Sequence, residues 1–312
     1  MRQLSKRTFN EINSYMNKEA RGLERAIFNY YFNDTNGDDI LDMLEKYQNP
    51  DGGFGRGIES DFMLLDSSPM ATSIGLRYLN LLKDDHRAQK MITKAIGYLE
   101  ATFDEERNGW YSVPITVNDY PHAPWWEHRE DIGMTVIDYS WGNPTAELIG
   151  YLYKYREYLT KLDIFSLINY AIEKLNERAE FNSEHEIFCY IRMYNIIDEE
   201  FSAQMEDTLK LAVSNLINVE EDQWTDYVPM PLKFIELDSE NFFGIDNKFI
   251  DKNLDYLIAK LEENKKIFPT WEWNDYLDEW EIAKKDWIGN LTLEAVLALK
   301  KFNRININQD IE

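Results

Sequence analysis

The feature that most constrains this chain is a recurring helical beat. Segments with helix-start signals begin near residues 69, 144, 187, 230 and 291, and the two middle intervals are both 43 residues. That is the length of one helical hairpin with its turns, so the pattern predicts a helical-repeat architecture. One set of helices is expected over Asp38–Gln48, Arg87–Phe103, Leu162–Ala179, Glu206–Val219 and Lys248–Glu263. A partner set is expected over Pro69–Leu82, Pro144–Leu159, Glu184–Ile197, Met230–Leu237 and Leu291–Phe302. Two further helices are expected at Ser5–Lys18 and Glu19–Phe32. Ser68-Pro69 and Asn143-Pro144 each set a capping side chain before a proline at the first helical position. Ser183 followed by Glu186 reads as a capping box.

Composition supports this reading. Apolar residues make up 44% of the 312 positions, enough for a large core. With 14 Gly and 9 Pro, the chain has few residues to spare for an all-β fold full of tight turns. The formal charge of −24 repels phosphate backbones and anionic membranes, so no nucleic acid partner is expected. The single cysteine, Cys189, excludes an intrachain disulfide and fits a reducing, cytoplasmic location. No apolar run of about 18 residues occurs, so no membrane span is expected.

Three insertions separate a first-type helix from its partner: Asn49–Ser68, Asp104–Gly142 and Asn264–Asn290. In a ring of hairpins, connections of one type gather at one end. Long loops carried by a rigid scaffold are where binding sites concentrate.

The stretch Leu44–Phe54 reads L-E-K-Y-Q-N-P-D-G-G-F. It resembles the QW repeat of terpenoid cyclases and protein prenyltransferase β-subunits. Tyr98-Leu99 before Gly109-Trp110, and Tyr256-Leu257 before Phe268, echo the same spacing. The continuation through Leu79, with D-G-G-F-G-R-G-I-E-S-D and S-S-P-M-A-T-S-I-G-L-R-Y-L, is similar to bacterial prenyltransferase/squalene-oxidase-repeat proteins. The resemblance implies an all-α fold, an α/α toroid of about five to six helical hairpins forming a single domain over residues 1–312. In such a repeat the glycine turns the chain off the helix and the aromatic pins the turn to neighbouring helices. The chemistries of that superfamily are not implied. The D-x-D-D acid motif is absent, and Asp34-x-x-x-Asp38-Asp39 has the wrong spacing. Cys189 has no Asp two positions before it, and no Gly-Cys-Gly-Glu-Gln segment exists, so Cys189 reads as a small core residue.

The loops nevertheless hold candidate chemistry. Glu59, Asp61 and His122 are the candidate catalytic residues, with the two carboxylates sharing one face of an extended segment. Arg56, Trp125, Trp126, His128, Asp131 and Trp141 are the candidate ligand-binding residues. His122-x5-His128 with Glu127 and Asp131 matches no strong zinc spacing, so neither a metal nor a cofactor is expected. Exposed aromatics beside carboxylates fit a carbohydrate, or an isoprenoid-like molecule whose cation the rings steady. The expected partner is a small molecule in an aromatic, acidic cavity. Whether such a site catalyses a reaction stays open at this point, as does oligomeric state. A protein-binding helical scaffold is the competing class.

Overall fold

The computed structural model describes residues 1–306. Among them the protein is all-α, with twelve α-helices, short 3-10 turns and isolated β-bridges but no strand. The helices are α1 (Lys6–Lys18), α2 (Gly22–Phe32), α3 (Asp38–Tyr47), α4 (Pro69–Leu79), α5 (His86–Ala101) and α6 (Gly142–Lys154), then α7 (Ile164–Asn176), α8 (Glu184–Ile196), α9 (Glu199–Ser202), α10 (Glu206–Leu216), α11 (Asn247–Asn264) and α12 (Leu277–Lys301). No helix among the described residues is long and apolar enough to cross a membrane.

The residues fall into two compact units. A central unit comprises Leu41–Leu216 with the short return segment Trp273–Tyr276. Among the described residues, a terminal unit comprises Met1–Ile40, Ile217–Glu272 and 277–306.

In the central unit, α6 packs against both α4 and α8, forming a row of partner-set helices. Behind that row, α5 packs on α4, α7 on α6 and α10 on α8. α6 is buried from Gly142 to Tyr153, as its sequence, apolar on nearly every face, requires. Ser68 Oγ accepts from Ala71 N at 3.1 Å, with Pro69 at the first helical position, so this start signal works as the sequence predicts. Asn143 does not cap α6. Its backbone is extended, at φ −104° and ψ 109°, and its Oδ1 accepts from the Cys189 thiol at 3.6 Å. The Ser183 capping box is only half made. Ser183 Oγ accepts from Glu186 N, but the Glu186 carboxylate is taken by Gly142 N at 2.7 Å and by Arg178.

The terminal unit packs α1 on α2 and α11, and α12 on α2 and α11. Leu4 N donates to Arg304 O at 2.8 Å, so the two ends of the described chain lie side by side. Arg304 is buried and clasped by Asp251 and Asp255. Two expectations fail here. Met230–Leu237 forms only a 3-10 turn at Pro231–Phe234. Pro229 and Pro231 remove two backbone donors, and Asn253 Oδ1 claims the Leu232 N–H. The third insertion is not a loop throughout, because α12 starts at Leu277. Trp280, Ala283, Trp287 and Leu291 recur at three- and four-residue steps, a helical stripe that the tryptophans disguised as loop aromatics.

Candidate functional site

The first loop leaves α3 through a pinned turn. Gly52 has φ +96°, and a Cβ there would lie 2.3 Å from the Lys94 carbonyl oxygen, so only glycine lets the turn sit on α5. Gln48 Nε2 donates to both Gly52 O and Met91 O at 2.9 Å, tying turn to helix. Phe54 is fully buried, with its ring against Gly75 of α4 and its N–H bonded to Thr72 Oγ1 at 3.0 Å. The second echo behaves alike. Trp110 is fully buried, and its indole donates to Leu99 O at 2.9 Å. The third does not, since Phe268 is 44% exposed.

Beyond the pins, the first and second loops cross. Met63 N donates to Pro121 O at 2.9 Å, and Ala123 N donates to Asp61 O at 2.8 Å. These bonds flank Phe62 and His122, which form an antiparallel bridge. In this pairing the two side chains stand close together on one face, and the residues beside them point to the other. Phe62, His122 and their neighbours therefore build an aromatic face. The Phe62 ring meets Trp126 edge-on at 5.2 Å, and the His122 ring lies 5.7 Å from Tyr276.

His122 is buried, and its Nδ1 is 2.6 Å from Tyr120 O. A carbonyl only accepts, so Nδ1 must carry the proton. In the neutral ring Nε2 then holds a bare lone pair, and no described residue claims it. Trp126 is also buried, and its indole N–H has no partner among the described residues. His122 Nε2 is thus an unclaimed acceptor, and the Trp126 N–H is an enclosed donor left unsatisfied.

The carboxylates do other work. Residues 59–61 form a turn rather than the expected extended segment. Glu59 Oε1 accepts from Asp61 N at 3.1 Å, which closes that turn. Asp61 is buried on the opposite face from His122, and its Oδ1 accepts from Trp273 Nε1 at 2.8 Å. Arg56 is exposed and bonds Asn49 Oδ1 at 2.8 Å rather than either carboxylate. Trp125 is half-buried in the turn before Trp126. His128 is held through its backbone by Asn118, at 2.8 Å in both directions, with a buried, unpartnered Nδ1. Asp131 is exposed and paired with Arg129 at 2.7 Å; that bond holds its carboxyl below the usual range. Trp141 is buried, donating to Arg107 O at 3.1 Å and resting edge-on against Tyr170. The structure thus brings His122 and Trp126 to one face and sets Asp61 behind it, while Arg56, Asp131 and Trp141 are engaged in separate contacts.

Two features carried no sequence signal. Trp273 arrives from 212 positions beyond Asp61, with Tyr276 just after it, and nothing local links them to it. The second is a charge cluster on the partner-set row. Glu147 of α6 is buried and takes a bidentate clasp from Arg77 of α4 at 3.0 and 2.9 Å, plus Arg192 of α8 at 3.2 Å. Burial pushes the Glu147 carboxyl up, and the two guanidiniums outweigh it, holding the group below its ordinary value. The triad staples three adjacent helices.

The chain matches no protein-family model, no curated protein and no solved structure.

Proposed function

We propose that the central unit binds a small polyhydroxylated molecule, a carbohydrate, on the aromatic face around His122. The observation that carries this reading is His122, whose buried ring donates through Nδ1 to Tyr120 O and whose Nε2 has no partner among the described residues. A sugar hydroxyl both donates and accepts. It satisfies the Nε2 lone pair. Tyr276, 43% exposed, offers a flat face for the apolar side of a sugar ring. A hydrocarbon ligand would leave His122 Nε2 unsatisfied, which disfavours an isoprenoid here. If a reaction follows binding, Nε2 is the group that accepts a proton from a substrate hydroxyl. Asp61 and Glu59 serve this reading by holding the loop, not by touching substrate. The row α4–α6–α8, backed by α5, α7 and α10, supports the further proposal that the hairpins close into a toroid. Cys189, buried and unpaired, fits action in the cytoplasm.

The test is calorimetric titration of the whole chain with neutral mono- and oligosaccharides, with native mass spectrometry to find the best binder. His122→Gln and His122→Ala should each weaken binding about three- to tenfold, the worth of one hydrogen bond. A wild-type protein that binds no neutral sugar, or variants that bind as well as wild type, would overturn the reading.

A further inference from the structure

We propose that the central unit carries a second site, independent of the His122 face: an anion groove for a small phosphorylated ligand, between the turn after α3 and helix α5. A groove of about 460 Å³ opens there, a size that suits a small molecule. Its lining includes Arg56, Arg87, Lys90 and Lys94, against one carboxylate, Glu45. Such a bias is unexpected in a chain whose formal charge is −24.

The four cations differ in what they already hold. Arg87 is committed to Asp42 at 2.7 Å and Glu45 at 3.0 Å. Lys90 and Lys94 stand one turn apart on the exposed face of α5, and neither has an ionic or hydrogen-bond partner among the described residues. Arg56 is anchored through Nε to Asn49 Oδ1 at 2.8 Å, and its two terminal nitrogens are unclaimed. Asn49 is itself fixed, donating to Leu65 O at 2.9 Å and Ser67 Oγ at 3.1 Å. The relay Ser67–Asn49–Arg56 sets an exposed guanidinium in place before any ligand arrives, which lowers the entropy cost of binding. The Gln48 bond to Met91 O holds the two walls together. The groove thus has one anchored planar fork and two ammonium side chains in its lining, the set that recognises a phosphate dianion.

Charge range explains which anion fits. At physiological salt, fields fade over about 8 Å, so a ligand inside the groove feels its own cations and little of the distant acidic surface. A long polyanion would reach past the groove and meet that surface, so nucleic acid and acidic protein tails are repelled. The chemistry selects a small molecule bearing a phosphate, whether free phosphate or a phosphorylated metabolite.

The experiment is calorimetric titration of the whole protein with inorganic phosphate and, separately, with a hexose monophosphate. At least one probe should bind. Lys90→Ala/Lys94→Ala should weaken binding at least about tenfold, with an unchanged Tm because both side chains are exposed. Lys94→Arg alone should bind as wild type, since it restores the charge. A control, Lys260→Ala/Lys284→Ala, removes the same net charge elsewhere and should leave the affinity unaltered. Tighter binding of the hexose monophosphate would assign the site to a phosphorylated metabolite, and equal binding would assign it to phosphate itself; both support the groove. Failure of both probes to bind, or equal weakening in the control, would overturn it. Hexose monophosphate binding that is lost in His122→Gln but kept in Lys90→Ala/Lys94→Ala would belong to the His122 face and overturn the groove.

Discussion

The central and terminal units use the same two ingredients with opposite outcomes. Both place an aromatic residue shortly after a helix, and both bury carboxylates. In the central unit Phe54 and Trp110 are fully buried, while in the terminal unit Phe268 stands 44% exposed. The difference lies in the seat. Phe54 lies where Gly75 has no side chain, and Trp110 finds both a carbonyl, Leu99 O, and the Thr145 hydroxyl. A helix-then-aromatic spacing becomes a pin only where another helix leaves room for the ring.

The charges invert in the same way. In the central unit two guanidiniums serve one carboxylate, Glu147. In the terminal unit two carboxylates share one guanidinium. Arg21 clasps the fully buried Glu24 at 2.6 Å and reaches Asp286 only at 3.8 Å. Burial raises the Asp286 carboxyl to about 6; Arg21 opposes the shift and Glu24 adds to it. The surplus of cation keeps Glu147 ionised, whereas the shortage favours protonation of Asp286.

The largest effect expected from this contrast is on the pins. Phe54→Ala and Trp110→Ala should each destabilise the protein by about 3–5 kcal/mol, the range for a buried aromatic. Phe268→Ala should change stability by less than about 0.5 kcal/mol. Chemical denaturation of the three variants checks this; a Phe268 effect as large as that of Phe54 would break the comparison.

Next in size is the pH dependence from Asp286. Its carboxyl lies near 3.8 when unfolded and about 6 when folded, so the folded state holds the proton more tightly. Stability from this group is full below about pH 4 and is lost as pH rises to about 6, by about 2–3 kcal/mol. Asp286→Asn should match wild type in acid and exceed it by that amount at pH 7–8. Melting curves across pH would read this directly, and parallel curves would show that Asp286 is not the strained partner.

The smallest effect sharpens the idea of a seat. A Cβ at Gly75 would fall 2.5 Å from the Phe54 ring. Gly75→Ala should therefore cost about 1–3 kcal/mol by overpacking, despite alanine's better helix propensity. In the double variant Gly75→Ala with Phe54→Ala the Gly75 penalty should shrink, because the clash is gone. Additive effects would place the strain elsewhere.

Residues close in sequence determined the all-α class, most helix bounds, the Ser68 cap and the turn before Phe54. Those depend on side-chain periodicity, proline and glycine, whose physical consequences reach only a few positions. The same local logic misjudged α12, because tryptophans on a helical stripe and tryptophans in a loop read alike until a neighbour buries them. Tertiary structure alone decided the crossing of Phe62 with His122, the bond from Trp273 to Asp61, and the sharing of Glu147 by Arg77 and Arg192. Each joins groups distant in the chain, and their geometry exists only once the helices have packed.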